Sequence, residues 1–303
     1  MTQILTCLTP DHVVLVADRR LVNLPSGDTE DDEACKIVAL GSQVALAFSG
    51  LANVRPAPRG QTDLWLADLL SPPPPRLPEI IAKIAEEATS TFSRITHLGP
   101  RAKRHAFVAA GWEAESSGPG FTAFFASVSN AEDSNGHWLD MARRDFLVRT
   151  RRIGAEPFRL EVTGQPLEGS EKRRLLDALA DPANHAPSRL GPLLATAIRS
   201  TATQNPAVGK GLLGITLPAS TASSDRGFAL VTQRSTGRDF ELDLPASPEP
   251  VAFYVPSSSN EGVVYAPHHV TPDLTIADVQ IHDRALSPEE IKRKYEEGLK
   301  RRR

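Results

Sequence analysis

Residues 1–20 read MTQILTCLTPDHVVLVADRR. Two β-prone apolar runs, 4–8 and 13–17, flank Thr9-Pro10-Asp11-His12, a tetrad with the composition of a turn. The stretch therefore predicts a hairpin whose second strand ends on Asp18. Antiparallel pairing would return Asp18 to the side of Thr2. Residues 36–40 and 44–48, on either side of Gly41-Ser42-Gln43, predict a second hairpin that ends at Ser49-Gly50-Leu51. Between the two hairpins, residues 21–33 are polar and carry the acidic run 28–33, which predicts a loop.

Further along, a helix is expected over 63–70, cut off by the prolines at 72–75, which remove the donors a helix needs. A second helix over 79–95 places Ile80, Ile81, Ile84 and Ala88 on one face. Strands are expected next at 105–110, 121–129, 145–151 and 158–162, then helices at 170–180 and from Ser188 to the neighbourhood of Pro206, then strands at 212–217 and 228–232. Blocks of strand and helix, rather than strict alternation, favour an antiparallel α+β layered fold.

The chain has 303 residues, of which 40% are hydrophobic and 23% charged, enough for a sizeable core. A formal charge of -3 argues against a dedicated nucleic-acid binder. No apolar run approaches the roughly 18 to 20 residues that cross a bilayer, so no membrane span is expected. With no secretory pattern at the start, the cytoplasm is the expected compartment. Cys7 and Cys35 are too few for a disulfide scaffold and read as packing residues, as do Trp65, Trp112 and Trp138. The adjacent His268 and His269 would face opposite sides of a strand, so no metal site and no cofactor are expected.

Thr2 is the residue with chemistry to offer. Initiator methionine is normally removed ahead of a small residue, and removal would leave a hydroxyl and a free amine on one residue. An α-amine with a pKa near about 7.7 to 8.0 can serve as the base that the weakly nucleophilic hydroxyl needs. Lys36 opens the third strand. A cation near Thr2 would disfavour the protonated amine and stabilise the developing alkoxide, with Asp18 holding that cation in place.

Thr2, then Val14-Leu15-Val16-Ala17-Asp18-Arg19-Arg20, then Ala34-Cys35-Lys36-Ile37, then Ala47-Phe48-Ser49-Gly50-Leu51-Ala52 resemble, in order and approximate spacing, the first half of a proteasome-type β-subunit, an N-terminal nucleophile hydrolase. The resemblance is also to bacterial proteasome-related proteins. It implies a four-layer αββα sandwich and a threonine hydrolase acting on peptide or amide bonds. It further implies Thr2 as nucleophile and amine base, Asp18 and Lys36 as the supporting ion pair, Arg20 in a structural role, and the Gly50 amide in an oxyanion hole. Assembly into a ring of identical subunits is part of the same implication.

Phe107-Val108-Ala109-Ala110-Gly111-Trp112 resembles the family's central strand, and residues 193–209 its helix into a second active-site loop. There the family's Asp-x-x-Ser-Gly is replaced by Asn205-Pro206-Ala207-Val208-Gly209, and a further family serine by Gln165 in Thr163-Gly164-Gln165. Asparagine can still orient an amine, whereas valine has neither donor nor acceptor. Asn205 and Gly209 thus stand as supporting residues. The replacements motivate the competing expectation of a catalytically inactive structural or binding subunit on the same fold.

The resemblance stops near residue 233. The expected division is a hydrolase-like domain over 1–236 and an extended, proline-rich appendage over 237–303. The appendage ends in a helix capped by Ser287, with Pro288 in its first turn and Glu290 closing the capping box. Residues 276–291 also resemble the closing strand and helix of laminin-G-like sandwiches, with no room upstream for the rest of one.

Overall fold

The computed structural model describes residues 2–22, 29–31, 34, 36–40, 43–54, 61–70, 76–115, 120–219, 230–232 and 251–254, with backbone alone at 29–31, 39–40, 67, 230–232 and 251–254. Cys35, the proline run, His268 and His269, and the capped helix after Ser287 lie outside the described residues.

The chain opens with β1 (Gln3–Leu8) and β2 (His12–Asp18), paired antiparallel from Ile4↔Ala17 to Leu8↔Val13. The stretch expected to be a loop instead contains a small antiparallel pair, β3 (Leu21–Val22) and β4 (Thr29–Asp31). Its alternation is too short to register as strands, and its pairing is set by the tertiary course of the chain beyond Asp18. The second hairpin is β5 (Ile37–Leu40) and β6 (Val44–Ser49). Two helices come next, α1 (Thr62–Leu69) and α2 (Leu77–Ser93).

The central strands are β7 (Ala106–Ala114), β8 (Phe121–Ser129), β9 (Leu147–Arg152) and β10 (Arg159–Gly164). β7 runs four residues beyond its expected end because Trp112 faces inward and its indole donates to the Leu217 carbonyl at 3.0 Å. Helix α3 (Gly169–Leu179), a single 3-10 turn at Pro182–Asn184 and helix α4 (Pro187–Gln204) succeed them. Then come β11 (Leu212–Pro218), β12 (Leu230–Thr232) and β13 (Val251–Tyr254).

Two main sheets result, one in the order β10-β1-β2-β11-β13 and the other β12-β5-β6-β7-β8-β9. Period-two alternation sorts each strand between layers. On β2, Val13, Leu15 and Ala17 face the space between the sheets, while Val14 and Val16 face α3 and α4. On β6, Ala45 and Ala47 face inward and Val44, Leu46 and Phe48 face α1 and α2. Three stacked apolar layers therefore separate four layers of structure. Strands covered on both faces are mostly apolar, and β1, β2 and β6, covered on both faces, are buried almost throughout.

This is the four-layer αββα sandwich expected of a proteasome-type N-terminal nucleophile hydrolase. Trp65 and Trp112 are core anchors, and Cys7 is a buried packing residue whose thiol is pushed up to about 12 by desolvation. Among the described residues no helix is long and apolar enough to cross a membrane.

Candidate active site at the start of the first strand

β1 places Thr2 at its own entrance, and two other strands bring in the rest. β2 delivers Asp18 at the strand end opposite, and β5 begins one residue after Lys36 on the facing sheet. Thr2 is 5% exposed, and Asp18 and Lys36 are fully buried. Lys36 Nζ donates to Thr2 Oγ1 at 2.6 Å, to Asp18 Oδ2 at 3.2 Å and to the Arg20 carbonyl at 2.5 Å. An ammonium has three donors, and here each has an acceptor.

Asp18 is equally engaged. Its Oδ1 accepts from the Gln3 amide at 2.7 Å, and its Oδ2 from the amides of Arg20 and Gly209, both at 3.1 Å, as well as from Lys36. A buried ion pair costs desolvation, which this density of hydrogen bonds offsets. The pair is therefore held in one arrangement, with the lysine aimed at the threonine hydroxyl.

The Thr2 backbone is fixed from the other side. Its carbonyl accepts from Ser49 Oγ at 3.1 Å and from the Gln165 amide at 3.0 Å. Gly164 has φ +83°, and a Cβ built there would collide with the Thr2 carbonyl oxygen. Only glycine tolerates both the angle and the approach. In the sequence the signal for this is weak, a glycine closing the β-prone run at Thr163-Gly164-Gln165, and there is none for Ser49 as a Thr2 contact.

The expected supporting residues divide. Gly209 reaches Asp18 through its amide, and Arg20 Nη1 donates to the Pro206 carbonyl at 2.8 Å, tying the 205–209 loop to the site. Asn205 turns its side-chain oxygen to the Ala207 amide at 3.0 Å, and its carbonyl accepts from Val208 at 3.0 Å. Val208 itself is fully buried in the apolar layer under α4. Gln165 meets Thr2 by its backbone, and its own carbonyl accepts from Gln3 Nε2 at 3.0 Å. Gly50 directly succeeds Ser49, is exposed, and has φ +130°.

No family model and no curated protein matches the chain. Among solved structures it is similar to an Anbu (Gly-1) mutant from Hyphomicrobium sp. strain MC1, with 13% identity, 70% of this chain and 79% of that one covered, and a TM-score of 0.46. It is also similar to Anbu (ancestral beta-subunit) from Yersinia bercovieri, with 11% identity, coverage of 78% and 89%, and a TM-score of 0.48. A eukaryotic HslV from Trypanosoma brucei shares 13% identity over 71% of this chain and 99% of that one, at a TM-score of 0.40. These are likenesses of fold, and the chemistry is read from the site itself.

Proposed function

We propose that the chain is a proteasome-like threonine hydrolase that cleaves peptide or amide bonds through Thr2 once Met1 is removed. The observation that carries this reading is the 2.6 Å hydrogen bond from a fully buried lysine, itself held by a buried aspartate, to the Thr2 hydroxyl. A hydroxyl that accepts from an ammonium keeps its own proton for a base, and the freed α-amine is that base. Thr2 Oγ1 attacks the carbonyl carbon as its proton passes to the amine. The Gly50 amide receives the oxyanion, the carbon–nitrogen bond breaks, and the amine returns the proton to the leaving nitrogen. Water then adds to the ester on Thr2, its proton taken by the same amine, which returns it to Thr2 Oγ1 as the carbon–oxygen bond breaks and the acid product leaves. Lys36 stabilises the alkoxide character of Oγ1 in both halves.

Mass spectrometry of the purified protein tests the reading. The expected result is loss of Met1 and a covalent adduct on Thr2 after treatment with an electrophilic peptide inhibitor of the proteasome type. A functional protein that retains Met1 would refute the mechanism, because the base would be tied up in a peptide bond.

The second reading, an inactive structural or binding subunit, is favoured by the 205–209 loop. The Val208 side chain offers no polar atom, and the Asn205 side-chain oxygen is occupied within the loop. Positioned proton-transfer groups are worth about 100- to 10,000-fold in rate, so their loss lowers activity by such factors. This reading expects Thr2→Ala to leave the biological role intact.

Assembly into a homo-oligomeric ring in the cytoplasm belongs to the same proposal, and size-exclusion chromatography with light scattering measures the stoichiometry. So does the division into 1–236 and 237–303, with β13 as the point where the appendage joins the core sheet, parallel to β11.

A further inference from the structure

His105 lies outside the constellation around Thr2 and has an environment that packing alone does not explain. It precedes β7 and is fully buried. Its ring is stacked on Phe48 at 5.9 Å between centroids and packs against Phe92 at 5.0 Å and Phe107 at 4.4 Å. A phenylalanine would suit such a cage. The imidazole instead accepts a hydrogen bond at Nδ1 from the Leu51 amide, at 2.9 Å. Accepting at Nδ1 places the ring proton of the neutral form on Nε2, and Nε2 is buried without a partner among the described residues. An unsatisfied buried donor is destabilising. The compensating feature is the acceptor nitrogen facing Leu51.

Leu51 is the residue after Gly50, and the turn is held on several sides. The Leu51 carbonyl accepts from Thr62 Oγ1 at 2.7 Å, which ties it to the first turn of α1. A Cβ built on Gly50 would lie 2.5 Å from the Arg104 carbonyl oxygen and 2.6 Å from His105 Nδ1, so the turn rests directly on residues 104–105. Those residues are anchored in turn. The His105 amide donates to Asn130 Oδ1 at 2.8 Å, and its carbonyl accepts from Ser129 Oγ at 3.0 Å and from the Asn130 amide at 3.2 Å. Ser49, on the other side of Gly50, holds the Thr2 carbonyl.

We infer that His105 is a positioning residue, whose Nδ1 fixes the Leu51 amide and, across the single Gly50 α-carbon, the adjoining Ser49–Gly50 peptide whose N–H is aimed at the oxyanion formed when Thr2 attacks. The inference rests on the reading of Thr2 as nucleophile and Gly50 as oxyanion donor. It adds a residue that never touches substrate and acts through one backbone hydrogen bond.

Two variants separate aim from packing. His105→Phe keeps an aromatic ring in the cage and removes the acceptor. His105→Asn places a carboxamide oxygen near the position of Nδ1. Acylation of Thr2 by the electrophilic inhibitor is monitored by mass spectrometry, separating the maximal rate from the half-saturating concentration. Hydrogen exchange of the Leu51 amide is measured in the same proteins.

For His105→Phe the maximal acylation rate is expected to fall about 100-fold, the scale of a small misplacement in a catalytic site. Half-saturation should stay within about twofold, because binding contacts are untouched. Leu51 should exchange faster, and His105→Asn should recover most of both losses. Unchanged rate and exchange in His105→Phe would overturn the inference, as would equal damage in both variants, which would mark a packing role. If wild-type Thr2 is not acylated at all, the nucleophile reading fails. Leu51 exchange then decides alone whether His105 holds the turn, and unaltered exchange in His105→Phe refutes that too.

Discussion

Thr2 Oγ1 and Lys36 Nζ are 2.6 Å apart in a site with almost no exposure, and substitutions there separate chemistry from stability. Thr2→Ala should abolish inhibitor labelling while the protein stays folded, as read by mass spectrometry and circular dichroism together. Lys36→Met is expected to abolish labelling and also to destabilise the fold by about 3 to 5 kcal/mol, because Asp18 is left buried without its cation. Chemical denaturation measures that difference. Gly164→Ala should cost more than about 1 kcal/mol, since alanine strains at positive φ, and its Cβ would press on the Thr2 carbonyl.

His105 adds a pH dependence at the same scale. Burial lowers its pKa to about 3, against about 6.5 in an unfolded chain. The ring is neutral in both states above pH 6.5, so its contribution there is constant. As pH falls from about 6.5 towards 3, the unfolded state takes up a proton that the folded state refuses, and stability drops by up to about 1.4 kcal/mol per pH unit. Denaturation midpoints collected between pH 7 and 4 should show a shallower acid loss in His105→Phe than in the wild type.

At the scale of elements, the two sheets are joined at one side by a charge cluster. Arg149 on β9 donates to Glu161 on β10 at 2.7 Å and lies 3.4 Å from Glu132, with its guanidinium over the Phe125 ring at 5.3 Å. Burial raises the pKa of Glu132 despite hydrogen bonds from Ser127 and Arg149. Arg149→Met would leave two carboxylates near each other in a largely buried place. The expected loss is about 3 to 5 kcal/mol, visible as a lower urea midpoint, with less effect from Arg152→Met, whose partner pair with Glu113 is more exposed. The pairing of β13 with β11 belongs to this scale too. Truncation after residue 236 is expected to uncover the β11 edge and promote association through it, detectable by light scattering.

The molecule as a whole stands on three apolar layers, and its centre lies between the sheets, where Phe125 and Trp112 supply the largest side chains. Phe125→Ala should destabilise by about 3 to 5 kcal/mol, more than the loss of any exposed ion pair. The geometry of the candidate site depends on that middle layer, because Thr2 and Asp18 belong to one sheet and Lys36 directly precedes a strand of the other.

The sequence alone determined the two opening hairpins and the order of strand and helix blocks, and it singled out Thr2, Asp18 and Lys36 by their chemistry and Gly50 by the family resemblance. Local turn composition and period-two patterning act over neighbouring residues and are legible there. The small β3/β4 pair and the length of β7 escape a sequence reading because their pairing partners and inward contacts lie outside any short window. Tertiary structure alone decided that Ser49, Gly164 and Gln165 hold the Thr2 carbonyl, that Gly209 rather than Asn205 reaches Asp18, and that His105 lies under the Gly50 turn. Each of these is a contact between strands or loops that are distant in the chain, and hydrogen-bond partners at that range are set by how two sheets stack, which no local pattern encodes.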